Sequence, residues 1–282
     1  MNKIIYNPMT MIMLHLEPSI GLVGNWSEWS NVEDEIIKLG INSQEKLTLI
    51  NIVVDDRLKV ISENAIISQM EKHGIHDFLT FIVPNFKNPD FWNFESFKSM
   101  LHFKKIIINV DHPFFDAIQQ TMTKEKMVPV TLLKKADSLF SKAQTLLKNG
   151  DIKGYQTLTG ANYNFSGFVV KGQQLGRTIN FPTANIQKGE MPFKQGVYLT
   201  KVKLPNDENT YWGMADYWCH PSKGLTFEVH ILDFDKDIYG WNIQIELIDF
   251  ERENLKVENL EQLKTLLISD KQKMITKIKK EQ

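Results

Sequence analysis

The 282-residue sequence predicts an α/β half followed by an all-β half, and three observations point there. Up to about residue 150, short apolar runs rich in β-branched residues alternate with helical runs. From about Phe165 the apolar period becomes two, with tight turns between runs. At roughly 150 residues per domain, the length suits two domains with a core each.

In the first half, Ile20–Val23, Leu47–Val54, Phe78–Val83, Lys105–Val110 and Val128–Leu133 are apolar on both faces, as buried parallel strands are. Helical stretches separate them. Val32–Leu39 follows Asn31, a candidate N-cap, and stops at Gly40. Ala65–His73 carries Ile66, Ile67 and Met70 on one side and stops at Gly74; Phe94–Leu101 and Pro113–Lys126 complete the alternation. Repeated βα units predict a doubly wound parallel sheet, which takes ligands beyond the carboxyl ends of its strands.

In the second half, Leu225, Phe227, Val229 and Ile231 share one face of a strand, with Thr226, Glu228 and His230 on the other. Trp241, Ile243, Ile245 and Leu247 repeat the pattern against Asn242, Gln244 and Glu246. Gly196–Leu204 and Thr210–Ala215 read as further strands, with turns at Pro205-Asn206-Asp207 and Asp235-Lys236-Asp237. Short strands with tight turns predict a small antiparallel barrel. A terminal helix follows, opened by Asn259 and Gln262 as a capping box. The boundary falls in the helical stretch Ala136–Gly160, near Gly150-Asp151, giving domains over 1–155 and 156–282.

Composition narrows the function classes. There are 33 Lys+Arg against 34 Asp+Glu, a net charge of −1, which removes the main sequence argument for nucleic acid or an anionic membrane as partner. The lone Cys219 excludes an intrachain disulfide and a cysteine-built metal site. The amino-terminal stretch makes a poor signal peptide, and no run reaches the ~20 apolar residues of a spanning helix. The expectation is a soluble cytoplasmic protein. Its oligomeric state is not legible.

The stretch richest in chemistry runs from Lys171 to Asn185. Gly172 and Gly176 allow close backbone approach to a bulky anion, and Arg177 offers a fork of donors to phosphate oxygens. Pro182 holds the chain before Thr183, whose hydroxyl is a hard ligand suited to Mg²⁺. Asn185 shares the side of Thr183 if the chain is extended. Taken alone, such a loop is more often ordinary than phosphate-binding.

The run Gly176-Arg-Thr-Ile-Asn-Phe-Pro-Thr-Ala-Asn185 resembles the GRxxGFPTAN signature of riboflavin kinases. Further blocks resemble the same family in order: Ser166–Gly172, Gly196–Tyr198, Phe227–Phe234 with Tyr239-Gly240, and the tail from Arg252 to Asp270. The resemblance implies a small Greek-key barrel with a terminal helix, and transfer of the ATP γ-phosphate to the riboflavin 5′-hydroxyl to give FMN and ADP. It implies Thr183 and Asn185 as Mg²⁺ ligands on the nucleotide phosphates. Gly172, Gly176, Arg177 and Thr183 become nucleotide-binding residues, Glu228 the catalytic base and Arg252 a flavin-binding residue.

The sequence departs from that pattern in places. Asn180 stands for a glycine, and asparagine tolerates a left-handed backbone best among the other residues. Asp216-Tyr-Trp-Cys-His-Pro-Ser222 stands for Asn-Ile-Gly-Thr-Arg-Pro-Thr, which puts a charge at 216 for an amide; Asn254 and Val257 replace an acidic residue and an aromatic. In bacteria this kinase commonly follows an FMN adenylyltransferase domain, a Rossmann-like nucleotidyltransferase fold whose position and βα grammar match residues 1–155. Its loop GxFDGxHxGH corresponds to Gly24–Glu33, where the histidine positions hold Ser30 and Glu33. Its ISSTxIR motif corresponds to Ser138–Gln144, without the arginine. Carboxylates in a first helical turn suit the helix dipole and compete there with a triphosphate. A degenerate adenylyltransferase-like domain is the expectation. Three readings stay open: a riboflavin kinase, a bifunctional FAD synthetase, and a non-catalytic flavin- or nucleotide-binding descendant.

Overall fold

The structure, a computed structural model, describes residues 2–6, 17–53, 59–82, 103–172, 174–187, 189–220 and 224–281. Contacts divide the chain into two compact units, Met1–Ile61 with Ala65–Lys142, and Ser62–Asn64 with Ala143–Gln282. Among the described residues, no helix is long and apolar enough to cross a membrane.

The first unit is a six-stranded sheet of β1 (Asn2–Tyr6), β2 (Ser19–Val23), β3 (Leu47–Val53), β4 (Asp77–Ile82), β5 (Phe103–Asn109) and β6 (Met127–Val130). The order is β1-β4-β3-β2-β5-β6 and every pairing is parallel. Its helices are α1 (Asn31–Asn42), α2 (Glu63–Lys72) and α3 (Phe115–Thr121). Leu22, Leu49, Ile50, Phe78, Ile106 and Ile108 are shut from solvent, which is why these strands read as unbroken apolar runs. The chain builds outward from β2 through β3 and β4, then from β5 to β6 on the other side, so the switch point lies between β2 and β5.

Periodicity misses β1, which among the described residues pairs with β4 alone at the edge of the sheet and lies outside the βα rhythm. The helix expected over Pro113–Lys126 is α3 followed by a separate 3-10 turn at Lys124–Lys126. The strand expected to reach Leu133 ends at Val130, because its partner β5 ends at Asn109. The expected helix Phe94–Leu101 lies outside the described residues, as do Val54 and Val83.

The stretch expected to be helical around Gly150 forms α4 (Leu139–Asn149) and α5 (Ile152–Thr159). Gly150 breaks it with φ 78°, and Asp151 Oδ1 caps α5 by accepting from the Gly154 N–H at 2.8 Å. Then come β7 (Asn164–Val170), α6 (Leu175–Thr178), β8 (Ala184–Gln187), β9 (Gly196–Lys203), β10 (Thr210–His220), β11 (Gly224–Ile231), β12 (Asn242–Arg252) and α7 (Leu260–Glu281). The strands close an antiparallel barrel in the order β10-β11-β8-β7-β12-β9. Aromatic rings fill it: Phe165 and Phe227 meet edge-on at 5.2 Å, Phe193 and Tyr217 at 5.3 Å.

Phe227 and Val229 point inward, so Glu228 between them points out of the barrel. Trp241 departs from its expected inward stripe: it precedes β12 and is 39% exposed. Helix α7 packs Met274 and Ile278 onto Val197, Leu199, Met214 and Ile248 of the outer wall, beside Ile179 and Phe181. Asn259 Oδ1 caps it by accepting from Gln262 N–H at 2.9 Å, and Gln262 Oε1 accepts from Glu258 N–H, one residue before the expected partner.

Candidate functional site

Register alone builds the centre of the site. Asn185 on β8 lies opposite Glu228 on β11, and Glu228 opposite Asp216 on β10. Asp216 lies opposite Val197 on β9, which lies opposite Arg252 on β12. One transverse row thus carries Asn185, Glu228, Asp216 and Arg252 around the barrel, from segments far apart in the chain. Thr183 stands just before β8, two residues from Asn185, and its hydroxyl donates to Glu228 Oε2 at 3.1 Å.

The loop leading there is shaped by absent side chains. A Cβ on Gly176 would sit 2.1 Å from the Phe181 carbonyl oxygen, an impossible contact with backbone. Phe181 N–H also donates to the Gly176 carbonyl at 2.8 Å, tying the loop into a tight ring. A Cβ on Gly172 would fall 2.3 Å from Asn185 Nδ2, so the bare glycine makes room for that amide. Asn180 takes φ 63°, the left-handed conformation of the glycine it stands for. Arg177 is exposed and its guanidinium donates to the Tyr239 hydroxyl at 3.3 Å. Lys171 lies over the same ring, 5.8 Å from its centroid, and Gln174 Nε2 donates to the same hydroxyl. The sequence places Tyr239 in a family-like turn and Lys171 at the start of the loop but does not bring them together, since nothing local to residue 239 points at a loop some sixty residues earlier.

The donors around Glu228 are all oxygen: the Thr183 hydroxyl, the Asn185 amide and the Glu228 carboxylate. That chemistry fits a hard divalent cation with a phosphate supplying further oxygens. Among the described residues, no group of three or more His, Cys, Asp or Glu side chains could hold a metal without such help. His230 is buried, its ring Nδ1 2.8 Å from the Pro182 carbonyl, which sets Pro182 and so Thr183 beside it. Burial pushes the His230 pKa down, keeping the ring neutral with Nδ1–H as donor.

Arg252 is committed inside the protein. Its Nε donates to both oxygens of Asp270 at 3.1 Å, its NH2 group to Oδ2 at 2.6 Å, and its NH1 group to the Glu253 carbonyl at 2.9 Å. Asp270 sits fully buried in the apolar stripe Leu263, Leu267, Met274, Ile278 of α7, where an unpaired carboxylate would be costly. The Oδ1 of Asp216 beside it has no hydrogen-bond partner among the described residues. Burial pushes its carboxyl up to about 7, against the pull of Arg252 and with a smaller push from Glu228 and Asp270. Asn254 Nδ2 donates to the Tyr217 carbonyl at 2.8 Å, a structural use of that altered position. Pro221 and Ser222 of the altered segment lie outside the described residues.

The first unit's candidate loop, between β2 and α1, is closed on itself. Ser30 caps α1 in a full capping box with Glu33. The Glu33 carboxylate, 2% exposed, accepts from Asn25 N–H at 3.1 Å, Ser30 N–H at 2.8 Å and the Ser30 hydroxyl at 2.6 Å. Trp26 is wholly buried and its indole N–H donates to the Ile50 carbonyl at 2.7 Å. Asn31, expected as the cap, is instead the first helical residue, its side chain bound to Leu133 O and Lys135 N–H. Serine wins because only its hydroxyl reaches the next backbone N–H groups while Glu33 answers.

Residues 159–278 match the family model described as Flavokinase, riboflavin kinase. The chain is 30% identical over 221 residues to the trifunctional protein RibF/MnmA of Mycoplasmoides gallisepticum, covering 75% of this chain and 32% of that protein. It is 37% identical over 129 residues to the bifunctional riboflavin kinase/FMN adenylyltransferase of Haemophilus influenzae, covering 44% of this chain and 41% of that protein. The chain therefore spans less than half the length of these two relatives. Its fold resembles the crystal structure of a macrolide-efflux protein from Streptococcus pneumoniae, with TM-score 0.59, 19% identity, and coverage of 96% of this chain and 98% of that one.

Proposed function

We propose that this chain, whose residues 159–278 match the riboflavin kinase family model, phosphorylates riboflavin with ATP. The observation that carries the reading is the Thr183–Glu228 contact at 3.1 Å, set in register beside Asn185 at the end of a glycine-dependent loop. The riboflavin 5′-hydroxyl gives its proton to Glu228 as its oxygen bonds to the γ-phosphorus. The bond from that phosphorus to the β,γ-bridging oxygen breaks, and ADP leaves. Such a transfer needs positioning and charge neutralisation more than covalent chemistry. Thr183 and Asn185 would hold Mg²⁺, which neutralises phosphate charge when bound. Gly172 and Gly176 let the backbone approach the phosphates, and Arg177, steadied by Tyr239, presents its guanidinium to them. Arg252 serves the flavin end by fixing α7 against the barrel through Asp270, rather than through a free guanidinium.

We assign residues 1–155 as an adenylyltransferase-like domain that has lost adenylyl transfer. Glu33 takes up the N–H groups of Asn25 and Ser30 beside the start of α1, where a nucleotide phosphate would need them. The relatives whose names include FMN adenylyltransferase favour a second reading, a bifunctional enzyme. Asp216, whose Oδ1 has no hydrogen-bond partner among the described residues, favours a third, a protein that binds flavin without phosphorylating it. Chromatography of riboflavin incubated with MgATP and the protein separates these. FMN alone is expected; FAD would restore the bifunctional reading, and riboflavin bound but unchanged would replace kinase with binding protein.

A further inference from the structure

Three successive loop residues before β8 are each held by a side chain of β11. The β8–β11 ladder runs from Ile186 opposite Phe227 to Ala184 opposite Val229 and stops there. Two residues before Ala184 stands Pro182, which has no N–H to give a further rung. For the loop, β11 uses side chains instead. Glu228 accepts from the Thr183 hydroxyl at 3.1 Å, and the His230 ring meets the Pro182 carbonyl at 2.8 Å. The same ring packs against Phe181, with centroids 5.1 Å apart.

A carbonyl only accepts, so the ring nitrogen facing Pro182, Nδ1, carries the hydrogen. Parity puts His230 on the outward face of β11 with Thr226 and Glu228, away from the stripe of Phe227, Val229 and Ile231. It is nevertheless 6% exposed, with Phe181 lying against it. An apolar side chain of that size could fill the space beside Phe181. It could not give a hydrogen to the acceptor next to Thr183.

We propose that His230 is a positioning residue for phosphoryl transfer: its Nδ1–H fixes the Pro182–Thr183 peptide so that the Thr183 hydroxyl stays beside Glu228. Proline contributes the other restraint, because its ring sets its own φ. With the carbonyl also tied down, the planar peptide that leads into Thr183 has little freedom to turn. Without the hydrogen bond it can turn, and the Thr183 hydroxyl leaves the face it shares with Asn185 and Glu228. A displacement of about 1 Å in such a group can cost on the order of 10²-fold in rate. Arg252 and Asp270 are held by a separate set of hydrogen bonds, so the effect should fall on the nucleotide and spare the flavin.

The role in transfer rests on the kinase reading; the hydrogen bond does not. Long-range 1H–15N spectra read the tautomer of a neutral histidine, and the signal lost in His230→Asn identifies this one. Nδ1–H is expected in wild type, and an Nε2–H ring would overturn the proposal. Kinetics then compares His230→Asn, whose amide keeps a donor near the Nδ1 position, with His230→Leu, which keeps bulk without a donor. His230→Leu should lower kcat/KM for MgATP at least about tenfold while KM for riboflavin stays within about twofold. His230→Asn should recover most of that loss. Equal losses in the two variants would make packing the whole role and overturn the proposal, as would wild-type kinetics in His230→Leu. If His230→Leu does not fold, a tenfold loss in His230→Asn overturns it alone. Should wild type make no FMN, the kinase reading fails, and MgATP affinity by calorimetry takes the place of kinetics. His230→Leu should then bind about tenfold more weakly; equal affinities, or no MgATP binding by wild type, overturn the positioning role as well.

Discussion

The β2–α1 turn of the first unit and the β7–β8 loop of the second are both glycine-containing turns that correspond to phosphate-binding loops of the family the sequence resembles, and they differ in state. In the first, Glu33 satisfies the free N–H groups and Trp26 fills the space beside Gly24, whose Cβ position lies 3.0 Å from that indole. In the second, Thr183, Asn185 and Glu228 are only part-buried, and Arg177 is exposed on a single tyrosine. A polar group already satisfied inside the protein has nothing to offer a ligand; one held in place but left open does. The same residue class, a glutamate, is a plug in one loop and a candidate base in the other.

The largest expected effect tests the open loop. Glu228→Gln should lower kcat by about 10²–10⁴-fold, the usual contribution of a general base, while thermal unfolding stays near wild type. Near-full turnover would remove Glu228 from the chemistry and erase the contrast with Glu33.

Next comes His112, just beyond the carboxyl end of β5 and so on the β5 side of the first unit's switch point. Burial pushes its pKa down to about 4 from 6.5, and its Nδ1 accepts from the Phe114 N–H at 3.3 Å, which requires an unprotonated ring. A depressed folded-state pKa means stability that is full above 6.5 and lost as pH falls toward 4. The loss should reach about 3 kcal/mol. Denaturant unfolding at pH 7 and pH 4.5 should reveal it, and His112→Gln should flatten it. An equal pH response in that variant would show the interior to be wetter than its burial implies.

Glu33 gives a smaller effect. Breaking the capping box with Glu33→Ala should cost about 1–2 kcal/mol in chemical denaturation. Burial raises the Glu33 pKa above 4.5, so its contribution is full below that value and declines as pH rises through the shifted one. Should this variant gain ATP binding by calorimetry, Glu33 is the plug by itself; no gain is expected while Trp26 stays in place. The smallest effect belongs to Asn180→Gly. It relieves a left-handed asparagine but loosens the unfolded chain, so stability should move by less than about 1 kcal/mol and kcat by under twofold. A large change in activity would mean that the Asn180 side chain touches substrate.

Much of this was legible along the chain. The alternation of Leu225–Ile231 puts Glu228 on the face away from the apolar stripe, because side-chain direction in a strand depends only on residue parity. The βα rhythm gave the parallel sheet, since strands buried on both faces must be apolar throughout. The glycines at 172 and 176 were visible, and so were Thr183 and Asn185. Local chemistry sets all of these, within a few residues. What stayed hidden were the pairings between distant segments. Thr183 meets Glu228 across 45 positions and Arg252 meets Asp270 across 18, so the arginine that looked free for flavin is a strut for α7. Asp216 looked like one exchange among several in an altered stretch. Closure of the barrel set it beside Glu228 and shut its Oδ1 from solvent, because the neighbours of a strand residue are chosen by register and not by sequence.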